Sequence, residues 1–451
     1  MHSSLTAALR NPISALGVAL TTACGLLFLG LVGLHSVGFL QNPYTGIVMF
    51  VFVPGLFGIG LLFIPIGLFV ERRRARHGAV VASWPRVDLA DPAIRRTLVF
   101  VAGATILNLV IVSAASFGAI EYAESPEFCG QVCHTTMEPQ YSAYQSWPHA
   151  RVACAECHVG RGAGALVESK IAGTRQLFQV VTGRVTGPIP SPVTSLRPAR
   201  ETCEQCHWPE KFHGDKIRMI REYSSDEANS ESVTTLRLHV GGGSRTLGIG
   251  TGIHWHMNLD NEIEYVATDE TRETIPYVRF RDRTGRVREF IVDGTSSEQL
   301  ASGVRRRMDC MDCHNRPAHT FSMTPERAVD EAMAQGRIPR ELPFARREAV
   351  AAVSAEYGDT AAALAGIARR LQLFYAAAGG ADAGLVDREV AGARDVWSHN
   401  VFPAMNVRWG TYPNQLGHVE APGCFRCHDD EHKAGDGSVI RQDCELCHSI
   451  E

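Results

Sequence analysis

Six pairs of cysteines account for twelve of the 13 cysteines, and a histidine directly follows the second cysteine of every pair. Five pairs have the spacing CxxCH, at Cys154–His158, Cys203–His207, Cys310–His314, Cys424–His428 and Cys444–His448. The sixth motif, which comes first in the chain, is Cys129-Gly-Gln-Val-Cys133-His134, with one more residue between its cysteines. Two thiols at this spacing can bond covalently to the vinyl groups of one haem, and the adjacent histidine then ligates the iron.

Disulfides or zinc sites would explain a CxxC spacing, but neither explains a histidine after every pair. The sequence therefore predicts six c-type haems, numbered one to six in chain order. Their predicted attachment residues are Cys129, Cys133, Cys154, Cys157, Cys203, Cys206, Cys310, Cys313, Cys424, Cys427, Cys444 and Cys447.

The motif histidines are the predicted proximal iron ligands: His134, His158, His207, His314, His428 and His448. The second axial ligands must come from the other histidines of the same region, which are His149, His213, His239, His254, His256, His319, His399, His418 and His432. Since these candidates outnumber the positions to be filled, several must be surface or packing residues. A haem with two histidine ligands has no open iron position, so it carries electrons and binds no substrate.

Three of these candidates and one methionine have positions that favour a ligand role. His149 lies five residues before Cys154, which suits a ligand to a neighbouring haem. His254 and His256 point the same way if their segment is extended. Met137 lies three residues after His134, and either ligates the iron of haem one through its thioether or packs against the porphyrin.

The chain has 451 residues and a formal net charge of −4, which argues against a nucleic-acid partner. Attachment of c-type haem takes place outside the cytoplasm, so the motif-bearing region is expected in the periplasm. Cys24, the unpaired cysteine, lies in an apolar stretch and is interpreted as a small packing residue.

The first 120 residues have the pattern of a membrane anchor. No Asp, Glu, Lys or Arg occurs from residue 11 to residue 70, which predicts two membrane helices at about Ile13–Leu40 and Thr45–Val70. A third is predicted at Thr97–Ile120. The loop 71–96 contains seven arginines, so the positive-inside rule places it and the N-terminus in the cytoplasm. Span three then crosses the bacterial inner membrane and leads into the periplasm. Span one is too long for a cleaved signal peptide.

The predicted fold class is a three-span α-helical membrane anchor followed by a haem-packed, mainly helical and irregular cytochrome c domain with a small β insertion. The predicted domains are 1–120 (anchor), 121–213 (haems one to three), 214–303 (β-rich insertion) and 304–451 (haems four to six). Strands are predicted at Ser232–Val240, Glu262–Ala267, Pro276–Arg281 and Val287–Val292. A helix is predicted at Ala165–Val181, and three or four surface helices at residues 325–396.

From span three to haem three, roughly residues 98–208, the sequence resembles the NapC/NirT family of membrane-anchored multihaem quinol dehydrogenases. The likeness rests on an apolar helix, a first haem motif closely followed by methionine, and Ser146-Trp147-Pro148-His149 before the second motif. Lys170-Ile171 and Leu177-Phe178 complete it. The family's smaller members have one span and four haems and the first motif here is CxxxCH, while the larger layout is similar to multi-span inner-membrane cytochromes of metal-respiring bacteria.

The resemblance implies that haem one lies at the membrane surface beside a site that oxidises a quinol, and menaquinol is the expected substrate. It implies that Lys170 lies near that site or ligates a haem, and that His149 ligates another haem. Gln176 stands where many members have an acid. Glu121, Glu124 and Glu127, between span three and Cys129, are candidates to accept the quinol protons, or else form a solvated acidic linker.

The expected partners are membrane lipid, the quinol pool, and periplasmic cytochromes or a reductase. Two other functions remain open from the sequence. One is a terminal reductase for nitrite, hydroxylamine or a sulfur compound, although all six motifs end in histidine rather than an unusual ligand. The other is an electron-relay subunit of a larger respiratory complex.

Overall fold

The computed structural model describes residues 11–37, 39, 43–76, 90, 92–160, 162–193, 197–209, 212–244 and 248–451. The chain divides into two compact units, Met1–Cys133 and His134–Glu451. Much of the predicted arginine-rich loop 71–96 lies outside the described residues, as do residues 40–42 at the predicted break between spans one and two.

The first unit contains helices α1 (Pro12–Ser36), α2 (Pro43–Ile47), α3 (Val53–Arg76) and α4 (Pro92–Glu124). Among the described residues of this unit, three helical stretches are long and apolar enough to cross a membrane: Pro12–His35, Thr45–Val70 and Ala102–Glu124. These confirm the three predicted apolar helices. The first helix ends four residues earlier than predicted, and the third continues through Glu121 and Glu124.

Local sequence explains how two of these helices begin and bend. The Asn11 side chain accepts a hydrogen bond from the Ile13 amide at 2.9 Å, and proline follows it at the first helical position. Between α2 and α3 the chain is π-helical at Val48–Phe52. Pro54 follows directly, and its ring and missing amide hydrogen disturb the regular hydrogen bonds of the preceding turn.

Small residues let α1 and α3 pack closely. A Cβ atom on Gly17 would lie 2.7 Å from the carbonyl oxygen of Gly60, so only glycine fits at this contact. The Asn11 amide donates to the Gly67 carbonyl at 2.7 Å, which satisfies a buried polar group. Cys24 is 6% exposed and packs in a cluster that includes Phe28 and Phe57, as expected for a packing residue.

The second unit begins with α5 (His134–Gln145), α6 (Cys154–His158), α7 (Ala163–Val181) and α8 (Ala199–Thr202), joined by irregular segments. Further along the chain are α9 (Ser297–Ser302), α10 (Pro325–Ala334), α11 (Ala345–Val353), α12 (Thr360–Ala377) and α13 (Ala383–Asn400). In four of the motifs the first cysteine lies in a short 3-10 turn, which begins at that cysteine in three of them and at Gly423, one residue earlier, in motif five.

The four helices α10 to α13, within the predicted surface block 325–396, enclose a hydrophobic core of their own. Ile367 and Leu371 are completely buried there, and Trp397 is 2% exposed. Burial of each such aliphatic side chain contributes about 2 kcal/mol. Side chains of Thr324, Asp359 and Asp382 accept hydrogen bonds from first-turn amides and begin three of these helices. This block therefore holds itself together largely through contacts among its own helices.

The strands form three antiparallel sheets. They are β1 (Lys216–Tyr223), β2 (Glu231–Leu238), β3 (Gly242–Ser244), β4 (Gly248–Thr251), β5 (Glu262–Ala267), β6 (Tyr277–Arg281), β7 (Val287–Val292), β8 (Val304–Arg307), β9 (His432–Ala434) and β10 (His448–Ile450). The sheet orders are β1-β2-β10, β3-β4 and β8-β5-β6-β7-β9.

Two of these sheets reach beyond the predicted insertion 214–303. Strand β9 pairs with β7, and β10, which begins at the motif histidine His448, pairs with β2. The C-terminal part of the chain thus supplies one edge strand to each of these two sheets. Short strands such as these carry little signal of their own in a sequence, because only their pairing partners stabilise them.

Candidate haem sites

Each CxxCH histidine faces one other histidine ring. The ring-centroid distances are 6.2 Å for His158 and His319, 6.1 Å for His207 and His149, 6.2 Å for His314 and His254, 5.9 Å for His428 and His256, and 6.0 Å for His448 and His418. Metal–imidazole bonds are about 2.0–2.1 Å long, so two rings on opposite sides of one ion have centroids roughly 6 Å apart. The five pairs therefore fit two axial ligands with one iron between them.

Backbone carbonyl groups hold one nitrogen of several of these rings. The Nδ1 atoms of His149, His254 and His319 lie 2.9, 3.0 and 3.0 Å from the carbonyl oxygens of Pro317, Val240 and Gln140. Those of His256 and His428 lie 2.7 and 2.9 Å from the carbonyl oxygens of Ile253 and Arg441. A carbonyl only accepts, so each Nδ1 donates, and the Nε2 lone pair is left for the metal.

Burial keeps several of these imidazoles neutral, which is the form that binds a metal. It lowers the pKa of the half-buried His319 to about 4. Burial also lowers the pKa of His254 and His256, although each Nδ1 hydrogen bond opposes that shift.

None of the thirteen cysteines forms a disulfide. Among the described residues, no three His, Cys, Asp or Glu side chains converge on a common metal site, as a structural zinc ion would require. A haem needs only two axial protein ligands, because its porphyrin supplies the other four. The paired rings beside paired thiols therefore fit haem better than zinc.

Neighbouring motifs follow one another in space in chain order. Burial raises the pKa of Cys157, and Cys203 and Cys206 of the next motif raise it further. The Cys310 thiol donates a hydrogen bond to the Cys203 sulfur, which places motifs three and four in contact. These thiols stand for the thioether sulfurs of attached haems.

The order continues to the C-terminus. Burial raises the pKa of Cys313 to about 12, and Cys424 of the fifth motif is the next largest cause. Burial likewise raises the pKa of Cys447 in the sixth motif, followed by the effect of Cys424. Motifs two to six thus form a continuous series with no large gap.

Most facing histidines lie far along the chain from the motif histidine they meet. His319 is five residues beyond His314 of motif four, yet it faces His158 of motif two. His254 and His256 lie in a 3-10 turn, Ile253–Met257, that follows β4. The β-rich region therefore brings both rings to motifs four and five, a role that its sequence does not reveal.

The remaining histidine candidates have other surroundings. His432 is 1% exposed, with Nδ1 2.9 Å from an Asp429 carboxylate oxygen and Nε2 2.7 Å from the Ile275 carbonyl. The Nδ1 of His399 lies 2.8 Å from the Asp395 carbonyl on α13. His239 pairs with Asp215 at 3.1 Å. His213 is exposed.

The first motif straddles the boundary between the two units. Its cysteines lie in and after a π-helical turn, Phe128–Val132, in the first unit. His134 begins α5 in the second unit, and its side chain lies outside the described residues. Met137 is half-buried on the first turn of α5.

The candidate quinol residues lie in both units. Glu121 is exposed and Glu124 is half-buried, both on the last turn of α4, while Glu127 is an exposed residue before the π-helical turn. Lys170 is half-buried on α7. Of the two alternatives left open by the sequence, a solvated linker does not describe Glu121 and Glu124, because both belong to the helix.

Two groups of charged residues next to the motifs were not predicted. Arg316 is 8% exposed and donates from Nε to the His319 carbonyl at 2.8 Å. Asp312, within motif four, is 3% exposed and accepts a hydrogen bond from Tyr265. Arg426, within motif five, donates to the carbonyls of Arg272 and Asp312 and so ties the two motifs together. Single arginines in loops carry no periodic or spacing signal.

Comparison with known proteins also indicates a c-type cytochrome. The sequence profile of the NapC/NirT cytochrome c family, N-terminal region, matches residues 92–188. The cytochrome c-type protein ImcH of Geobacter sulfurreducens is 39% identical over 450 residues, which cover 98% of this chain and 88% of that protein. No solved structure matches the chain. With its membrane-spanning helices and covalent haem motifs, the chain belongs to the NapC/NirT family of membrane-anchored multihaem c-type cytochromes, which transfer electrons.

Proposed function

We propose that this cytochrome binds six haems, oxidises a membrane quinol, and passes the electrons to periplasmic acceptors. The observation that carries the proposal is the pairing of all five CxxCH histidines with a second histidine at 5.9 to 6.2 Å. Each bound haem supplies a one-electron redox centre, and two histidine ligands leave its iron closed to substrate.

The proposed ligand pairs are His158 and His319 for haem two, His207 and His149 for haem three, His314 and His254 for haem four, His428 and His256 for haem five, and His448 and His418 for haem six. For haem one we propose His134, with Met137 or another group opposite it. His213, His399 and His432 are left out of the set. His432 has both ring nitrogens engaged with protein acceptors, and the five described pairs of facing rings include none of the three.

The order of motifs two to six supports transport of electrons from the membrane end of the chain to its C-terminus. Cys129 lies five residues beyond the end of α4, so we place haem one next to the membrane. Two observations support a continuous route. The Cys203 and Cys310 sulfurs join motifs three and four. Cys424 of motif five lies close enough to Cys313 of motif four and Cys447 of motif six to raise the pKa of both thiols. A periplasmic cytochrome or reductase would then accept electrons near motif six.

A quinol releases two electrons and two protons, so its site needs proton acceptors as well as a nearby haem. We propose Glu121, Glu124 and Glu127 for this role, since they are the carboxylates between the membrane helix and Cys129. Lys170 is proposed to bind a quinol oxygen, on the strength of the family likeness. We propose that the chain is anchored in a bacterial inner membrane with its haem domain in the periplasm, because the arginine-rich loop favours the cytoplasmic side.

The rival function of a terminal reductase needs an iron with an open position. The paired histidines argue against this for haems two to six, so only haem one could bind a small substrate. We therefore prefer electron transfer with quinol as donor.

The direct test is anaerobic rapid mixing of the oxidised protein in liposomes with a menaquinol analogue, followed optically. We expect haem reduction at a rate that falls at least tenfold in Lys170→Ala and is unchanged in Arg175→Ala, an exposed cation on the same helix. Haems that stay oxidised with quinol but reduce with dithionite would overturn the proposal and favour a relay subunit fed by another protein.

A further inference from the structure

Arg316 is a buried cation that has no carboxylate partner among the described residues. Its Nε, Nη1 and Nη2 atoms donate to uncharged oxygens of His319, Ser191 and Gln140, at 2.8, 3.1 and 3.5 Å. The guanidinium also lies over the Tyr412 ring, 4.0 Å from its centroid. A guanidinium keeps its proton at neutral pH even where it is buried, so Arg316 carries a full positive charge.

Burying a charge without an ion pair is costly, and contact with an aromatic ring offsets only part of that cost. A neutral residue of similar shape could make most of the same hydrogen bonds. The retained positive charge therefore calls for a role that an uncharged side chain does not perform.

The position of Arg316 in the chain suggests that role. It lies within the six residues from His314 to His319, which contribute to three haem sites. His314 faces His254, the Pro317 carbonyl accepts the His149 Nδ1 hydrogen, and His319 faces His158.

Arg316 acts most directly on His319. It binds the His319 carbonyl and also the side chain of Gln140. The carbonyl of the same Gln140 accepts the His319 Nδ1 hydrogen at 3.0 Å. Arg316 thus fixes both the backbone of the ligand and the residue that orients its ring.

We propose that Arg316 sets the reduction potential of haem two and positions its ligand His319. This inference rests on the haem assignment proposed above. Reduction adds one negative charge to the haem, and a cation buried close by favours that state because the interior screens charges weakly. Replacing the cation by a neutral group is expected to lower the reduction equilibrium constant of haem two about tenfold, or 59 mV for one electron.

The test is an anaerobic potentiometric titration of the full haem-loaded protein, followed by electron paramagnetic resonance. Haem two is identified as the component whose signal changes in His319→Met. We expect Arg316→Gln to lower the reduction equilibrium constant of haem two about tenfold, and Arg316→Lys to keep that constant within about threefold of the wild-type value. Arg327→Gln, which removes a cation paired with Glu331 on the surface, should shift no component.

A haem-two potential that is unchanged in a fully loaded Arg316→Gln protein would overturn the inference. If that variant does not load six haems, Gln140→Glu decides, because it places a carboxylate beside the guanidinium without removing it. A reduction equilibrium constant of haem two that is about tenfold lower in Gln140→Glu than in Gln140→Met supports the charge effect, and equal potentials in the two variants contradict it. Neither result depends on whether quinol is the electron donor, so the proposed function stands or fails separately.

Discussion

Substituting Glu389 by glutamine is expected to stabilise the helical block α10 to α13 at alkaline pH and to change it little in acid. Glu389 lies on α13 and is completely buried. Its carboxylate oxygens lie near the Tyr375 hydroxyl but make no hydrogen bond of normal geometry among the described residues. Burial, helped by the nearby Glu348 carboxylate and opposed by the Tyr375 hydroxyl, raises the pKa of Glu389 from 4.5 to about 8.

The sign follows from proton binding. Between pH 4.5 and about 8 the unfolded chain has released this proton while the folded protein keeps it, so stability falls as the pH rises through that range. Each tenfold change in the ionisation constant corresponds to about 1.4 kcal/mol. The rise in pKa from 4.5 to about 8 therefore gives an upper bound of about 5 kcal/mol for the loss of folding stability between acid and alkaline pH. Relaxation around a buried carboxyl reduces the effect, so about 2–4 kcal/mol is expected.

Hydrogen exchange read by mass spectrometry can measure this within the intact protein, since the block opens locally. We compare peptides of α12 and α13 between Glu389→Gln and wild type at each pH, which cancels the intrinsic pH dependence of exchange. The glutamine variant should be protected more than tenfold better at pH 8 and about equally at pH 4.5. Glu331→Gln, an exposed and ion-paired control on α10, should show no such trend. A ratio that stays flat from pH 4.5 to pH 8 would refute the reasoning.

Three further predictions concern the haem sites. His256→Ala should convert about one sixth of the haem to a five-coordinate high-spin form, whereas His239→Ala, which removes a ring paired with Asp215, should convert none; optical spectra check both. Electron paramagnetic resonance should show rhombic low-spin signals from the nearly parallel rings, at 6° and 21°, and strongly anisotropic signals from those at 62° and 80°; a single signal type would contradict the pairing. Arg426→Leu should lower the free energy of local unfolding of the C-terminal segment by about 2–4 kcal/mol, because it removes the charged hydrogen bond to the Asp312 carbonyl in motif four. Proteolysis in the chain beyond residue 414 should become faster. An unchanged rate of proteolysis would argue that this hydrogen bond does not hold the two motifs together.

Local patterns predicted the membrane helices and part of the sheet well. The uncharged stretch after Asn11 predicted two spans, and strands Glu262–Ala267 and Val287–Val292 have the predicted bounds. Strands β9 and β10 were not predicted, because three residues have too little alternation to identify a strand. The block α10 to α13 was predicted as surface helices, but its apolar faces meet one another and form a core.

The candidate site could be predicted only as far as the motifs reach. Spacing identified the cysteines and the adjacent histidines, but the second histidines depend on contacts across the chain. Nearness in sequence would assign His319 to His314, whereas the structure places it opposite His158. Likewise His418 and His432 look equivalent in the sequence, yet only His418 faces a motif histidine. Such pairings depend on the fold, which local sequence does not encode.

The measurement that tests the account most directly is a count of haems and of their axial ligands in the purified protein. Haem per chain can be measured as the pyridine complex, and near-infrared magnetic circular dichroism then distinguishes histidine from methionine or open positions. The account predicts six haems per chain, with at least five ligated by two histidines. Fewer than six haems, or fewer than five with two histidine ligands, would contradict it.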